Sequence, residues 1–129
     1  MRTVEATDWA YLAALIDGEG CISANKQHAP KYHASVRVVN TDRRMLEWIV
    51  ETFQIGIVTV NRRHRSPTNW KWLYKWWVGG TIKLPYVLEG VMPFLVIKKE
   101  QAEIALELTL RPNNKRQKAI YLELQELKH

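Results

Sequence analysis

The stretch Leu12-Ala13-Ala14-Leu15-Ile16-Asp17-Gly18-Glu19-Gly20 decides how this chain is read. It has the pattern of the last two turns of a helix that ends in an acidic, glycine-flanked tip. Ala10, Ala13, Ala14, Asp17 and Gly18 fall at i, i+3, i+4, i+7 and i+8, so one face carries only small side chains until it reaches an acid. Leu12, Leu15 and Ile16 lie on other faces and are large and apolar. A helix with no polar side is expected to be buried all round. Its large residues can pack on the chain's own core. Its small face suits close approach of another backbone, as small-xxx-small seams do between helices elsewhere, and a second copy of the same chain is the expected partner.

Glu19 sits where that helix ends, among unpaired carbonyls and the negative end of the dipole. An exposed carboxylate is disfavoured there by roughly 0.3–1 kcal/mol. A divalent cation reverses the sign, because carbonyls and carboxylates are both hard oxygen ligands. Glu19 is therefore the expected metal ligand, helped by the backbone carbonyl of Gly18. A twofold axis along the small face would bring two copies of Glu19 together, an arrangement suited to metal-assisted cleavage of a phosphodiester. A buried helix with a satisfied acid at its end would account for the small face but not for the rest of the chain.

Composition bounds that remainder. The 129 residues suit one domain, read as a core over about 8–110 with a helical tail over about 113–129. No apolar run approaches the roughly 20 residues that a membrane span needs. Glu5, Asp8 and Asp17 interrupt the apolar start, so no secretory signal is expected. A single cysteine, Cys21, leaves no disulfide framework or zinc cluster, and a reducing, intracellular setting is the natural reading. The net charge of +6 is unevenly spread. No acid stands between Glu19 and Asp42, where Lys26, Lys31 and Arg37 fall, nor between Glu51 and Glu89, where Arg62, Arg63, Arg65, Lys71, Lys75 and Lys83 fall. Such segregation points to a polyanion partner rather than to solubility alone.

Periodicity predicts the elements. A first helix over about 8–18 has Asp8 as its N-cap. Residues 21–27 alternate, with Ile22, Ala24 and Lys26 opposite Cys21, Ser23, Asn25 and Gln27; residues 31–38 alternate again, with Tyr32, Ala34, Val36 and Val38 opposite Lys31, His33, Ser35 and Arg37. A second helix from near Asp42 carries Leu46, Ile49, Val50 and Phe53 and stops at Gly56. A third strand places Ile57, Thr59, Asn61 and Arg63 on one face. A fourth opposes Lys71, Leu73, Lys75 and Trp77 to Trp72, Tyr74, Trp76 and Val78. Thr81 caps a helix with the stripe Leu84, Val87, Leu88 and Val91; a further helix over about 98–110 buries Ala102, Ala105, Leu106 and Leu110; a last one uses Ile120, Leu124 and Leu127. The order αββαββα, then more helix, predicts an α+β domain on a twisted antiparallel four-stranded sheet. For Trp72 and Trp76, core packing outranks stacking on single-stranded bases.

The string LAALIDGEG resembles the LAGLIDADG signature of homing endonucleases. Ala14 replaces the third-position Gly, Gly18 replaces Ala, and Glu19 replaces the second Asp, all keeping small-face and acid chemistry. The resemblance covers about residues 11–108, and the element order is that of the family core. It implies a single-motif, homodimeric, sequence-specific DNA endonuclease that cuts a long, roughly palindromic double-stranded site with Mg²⁺, for which Mn²⁺ or Ca²⁺ can substitute in binding. It also implies that the polar sheet face is a DNA saddle. The alternation selects the same face independently: Ser23, Asn25, Gln27, Lys31, His33, Ser35, Arg37, Asn61, Arg63, Lys71, Lys75 and Trp77 are expected at the major groove, which admits a β-ribbon. Lys26, Arg62 and Arg65 are better placed for phosphates. Asn40 and Lys98 match family positions in the catalytic pocket, and Arg44 is a weaker match. Asp17 is expected at the subunit contact. The alternative function is a non-cleaving DNA- or RNA-binding relative of the same fold, a maturase or regulator.

Overall fold

A computed structural model describes residues 3–28, 31–64, 71–110 and 117–127; side chains are described for all of these except 26–28, 31, 61–64, 71 and 117. The elements are α1 (Ala6–Glu19), β1 (Gly20–His28), β2 (Lys31–Asn40), α2 (Arg43–Phe53), β3 (Ile57–His64), β4 (Lys71–Gly79), α3 (Lys83–Val91), a 3-10 turn (Met92–Phe94), α4 (Lys99–Leu110) and α5 (Gln117–Leu127). The strands form one antiparallel sheet in the order β1-β2-β4-β3, so two hairpins meet along β2 and β4. This is the expected α+β architecture.

Strict alternation divides the sheet. Ile22 pairs with Val36, Val36 with Val78 and Val38 with Trp76, and all are buried on one face. The helices cover that face with Leu12 and Ile16, Leu46 and Ile49, Leu84 and Leu88, Ala102, Ala105 and Leu108, and Ile120 and Leu124. Each fully buried Leu or Ile contributes roughly 1.5–3 kcal/mol relative to exposure. The helices are also joined by aromatics: Trp9 of α1 lies 4.7 Å from Phe53 and 5.2 Å from Tyr86, ring centre to ring centre, and Tyr11 lies 4.8 Å from Trp48. The last helix is part of this packing. Tyr121 stacks against Tyr32, and the Gln125 side chain donates to the Ala24 carbonyl at 3.2 Å.

Several local expectations are corrected. Glu5, not Asp8, is the N-cap of α1; Asp8 stands three residues inside and accepts the Glu5 N–H at 3.0 Å. The second helix ends at Gln54, whose left-handed φ of 56° closes a bond to Val50 O, rather than at Gly56. Gly56 has φ +85° and lies against the Trp76 indole, where a Cβ would collide; Trp76 itself is fully buried and donates to Ile55 O at 3.0 Å. Ile82 rather than Thr81 precedes α3. On α4 the buried stripe is Ala102, Ala105 and Leu108, while Leu110 is exposed. Trp72 is 49% exposed, because it lies near the outer end of β4 while Trp76 faces Val38 at the sheet's centre. Among the described residues, no helix is long and apolar enough to cross a membrane.

Candidate active site and nucleic-acid interface

The tip of α1 is built by two acids that point to different ends. The Asp17 carboxylate accepts three successive backbone N–H groups, from Val96 at 2.8 Å, Ile97 at 3.2 Å and Lys98 at 3.0 Å, and so caps the entry to α4. In return, Lys98 Nζ donates to Ile16 O at 3.0 Å and Asp17 O at 2.7 Å, among the last carbonyls of α1. Each charge meets the end of a helix where the dipole has the opposite sign. Asp17, expected at a subunit contact, is thus engaged within its own chain. Lys98 has three donors and uses two of them here, which leaves one.

Glu19 is exposed and has no hydrogen bond or ion pair among the described residues. Gly18 beside it is open: a Cβ built there meets nothing. A hard divalent cation suits a free carboxylate at a carbonyl-rich helix end. One protomer nevertheless supplies few ligands, since no group of three or more His, Cys, Asp or Glu is placed to hold a metal among the described residues. The face of α1 next to this tip differs from the expected one. Ala13 is fully buried in the chain's own core, so it is removed from the small seam. Nor is α1 buried all round: Tyr11 is 51% exposed, and Ala14, Gly18 and Glu19 are exposed. The open stripe therefore runs through Tyr11, Ala14 and Gly18, at i, i+3 and i+7, with Ala10 half-buried at its edge.

A second corner lies where β2 runs into α2. The register sets Gly20, where α1 enters the sheet, opposite Val38, so Asn40 comes two residues past that partner, at the same end of the sheet as Glu19. Asn40 Oδ1 accepts the Asp42 N–H at 2.7 Å. Asp42 caps α2 by accepting the Arg44 N–H at 3.0 Å, and it also holds the Arg44 guanidinium, Nε to Oδ1 at 3.1 Å and Nη2 to Oδ2 at 2.8 Å. The hydrogen bonds from the Arg44 side chain and backbone hold the Asp42 carboxyl below its ordinary range, and the same pairing raises Arg44. Thr41, Asp42, Arg43, Arg44 and Tyr74 line an open cleft here. Asn40 and Arg44, expected as catalytic, thus both bind Asp42, which the sequence reading did not single out: Asn40 through the Asp42 N–H and Arg44 through the Asp42 carboxylate.

The polar face of the sheet runs across all four strands. Asn25 pairs with His33, Cys21 with Arg37, Arg37 with Trp77, and Val39 and Thr59 flank Lys75. Asn25, His33, Arg37 and Trp77 are exposed, and Ser23 and Lys75 half-buried. Ser35 is corrected: it is buried between Ser23 and Gly79, so its hydroxyl is not presented at the surface. In β3 a bulge between Val60 and Arg63 pairs Arg63 with Trp72, one residue out of step with Ile57 on Trp77, and the Arg63 side chain lies outside the description. Lys26, Gln27, Lys31, Asn61, Arg62 and Lys71 have strand backbones, but their side chains lie outside the description, and Arg65 lies outside the described residues altogether.

This layout, two β-hairpins packed under helices, is shared with known proteins. The chain is 26% identical over 121 residues to the DNA endonuclease I-CvuI of Chlorella vulgaris, a match spanning 89% of this chain and 71% of that protein. The crystal structure of the homing endonuclease I-CvuI with its target superposes with a TM-score of 0.69 at 23% identity, covering 95% of this chain and 78% of that one. The archaeal intron-encoded homing endonuclease I-Vdi141I, complexed with DNA, gives 0.77 at 19% identity over 95% of this chain and 85% of its own. The LAGLIDADG meganuclease I-AabMI gives 0.66 at 23% identity, with this chain spanning 43% of it. The chain has the LAGLIDADG homing-endonuclease fold. The string that resembles the LAGLIDADG motif occurs in it once, as Leu12–Gly20. No protein-family model matches the chain.

Proposed function

We propose that this LAGLIDADG chain is a homodimeric, metal-dependent endonuclease that recognises a long, roughly palindromic duplex DNA site. One observation carries the reading: Glu19 is exposed and unpartnered among the described residues, at the end of the open stripe Tyr11, Ala14 and Gly18. A twofold axis along that stripe brings the Glu19 of a second copy to the same place and completes a ligand set that one chain lacks. The similarity to a DNA endonuclease supports it. A divalent ion such as Mg²⁺ held there would supply charge stabilisation at the phosphate and a more acidic water. The chain's own part is positional. Glu19, with the Gly18 carbonyl, would hold the ion. The remaining donor of Lys98 would face the developing charge, while Asp17 fixes the segment that carries it. Asn40 keeps its amide nitrogen for water or phosphate, since its oxygen is used by Asp42. Asn25, His33, Arg37, Lys75 and Trp77 would meet the major groove.

The test is plasmid or oligoduplex cleavage with Mg²⁺ by the parent and by Glu19→Gln. The substitution is expected to slow cleavage at least about a hundredfold while leaving DNA affinity within severalfold. Equal cleavage by both chains would remove Glu19 from the mechanism; tight binding without cleavage by either would support the non-cleaving alternative. Sedimentation with duplex present checks the assembly, and a strict monomer at micromolar concentration would overturn the dimer.

A further inference from the structure

The corner between β2 and α2 holds the first acid after a long basic stretch. Asp42 ends the acid-free run that begins after Glu19. Its carboxylate lies edge to edge with the Arg44 guanidinium, in two parallel bonds of 3.1 and 2.8 Å. A phosphodiester presents the same two-oxygen edge to a guanidinium. The carboxylate does not depend on that contact for its place. Its Oδ1 also accepts the Arg44 N–H, and the Asp42 N–H is anchored to Asn40 Oδ1. The Arg44 side chain, by contrast, is 89% exposed, so it can turn away at little cost. The neighbouring cation is not available in this way: Arg43 lies over the Tyr74 ring at 5.4 Å and pairs with Glu47 at 2.6 Å.

We propose that Asp42 is a positioning residue that holds Arg44 in the DNA-free chain, and that a backbone phosphate of bound duplex takes its place on the guanidinium. This rests on the DNA-binding reading above. While the pair is closed, the corner is locally neutral and adds little to indiscriminate attraction for phosphates. It opens only where a phosphate arrives with the geometry to replace both oxygens. Arg44 then reaches the substrate from a fixed starting pose instead of from the many rotamers of a free arginine.

Asp42→Asn keeps an acceptor for the helix cap and removes the charge; Asp42→Ser, a second capping side chain, serves if the amide disturbs folding. Binding to a 30-base-pair duplex is measured across a salt series. Asp42→Asn is expected to bind about threefold to tenfold more tightly at low salt, with a slope of log affinity on log salt steeper by up to about one. In an Arg44→Gln background the difference is expected to vanish. In parallel, the Arg44 Nε–H NMR signal of the free chain should move on Asp42→Asn, and should move again in the parent when duplex is added. Equal slopes, a difference that persists without Arg44, or an Arg44 signal indifferent to Asp42 would overturn the exchange while leaving DNA binding intact. Absence of salt-dependent duplex binding in every variant would instead remove the DNA reading, and the exchange with it.

Discussion

The two charged corners of this molecule use the same ingredients differently. At the α1 tip, Asp17 and Lys98 never meet each other's charge: the acid binds the N–H groups of residues 96–98 and the ammonium binds the carbonyls of Ile16 and Asp17. At the α2 start, Asp42 and Arg44 meet directly, in solvent. The first arrangement joins each charge to backbone groups at a helix end and ties α1 to the segment that enters α4. It is a structural clasp and does not open without cost. The second gives two side chains that water or phosphate could serve as well, so it can be exchanged. What separates them is whether the opposing group is a helix end fixed in the fold or a side chain with freedom to leave.

Breaking the clasp should produce the largest effect. Asp17→Ala leaves three N–H groups without their acceptor, and should lower stability by about 2–3 kcal/mol, read as a fall in melting temperature on the order of 10 °C. Asp17→Asn should cost less, because one amide oxygen still accepts. Next comes Lys98→Met, expected to cost about 1 kcal/mol in stability but to reduce cleavage by far more than that loss predicts. The double variant with Asp17→Ala should be non-additive by about 1 kcal/mol in unfolding titrations. Strict additivity would mean that the two halves of the clasp act independently.

Smaller effects belong to the exposed corner. At about 1 M salt the screening length falls to roughly 3 Å, so the melting difference between the parent and Asp42→Asn should shrink, while that between the parent and Asp17→Ala should persist. The pH dependence is the smallest effect. The Asp42 carboxyl is depressed in the folded chain, so its contribution is fully present above the ordinary value of about 3.9 and is lost as pH falls through the lower folded value. The raised Arg44 contributes fully at every pH below its ordinary value. Melting curves between pH 5 and 8 should therefore show no Asp42-dependent change, and a difference between the parent and Asp42→Asn that varies in that range would contradict the pairing.

Much of this was legible in order and pattern. The alternation of Ile22 and Ala24 against Ser23 and Asn25 assigns β1 its two faces, and the structure keeps them. The β3 bulge was not legible, because alternation assumes an unbroken register and an extra residue carries no signature of its own. Ser35 reads as a surface hydroxyl by parity, yet it is enclosed on a central strand. Ala13 shares a helix face with Ala10 and Ala14 by spacing, but the core claims it and shifts the open stripe to Tyr11, Ala14 and Gly18. A search for acids followed two residues later by arginine could have flagged Asp42 and Arg44; nothing local could have flagged Asp17, whose acceptor role is played 79 to 81 residues along the chain.

By itself the sequence determined the succession of helices and hairpins, the sidedness of the sheet and the exposed acid at residue 19, since all three follow from short-range periodicity and from a motif read within nine residues. Only the tertiary structure decided what each charge at the ends of α1 and α2 is bound to. Those partners are set by which helix ends and side chains packing brings within about 3 Å, and hydrogen bonds of that length between segments far apart in the chain leave no trace in local pattern.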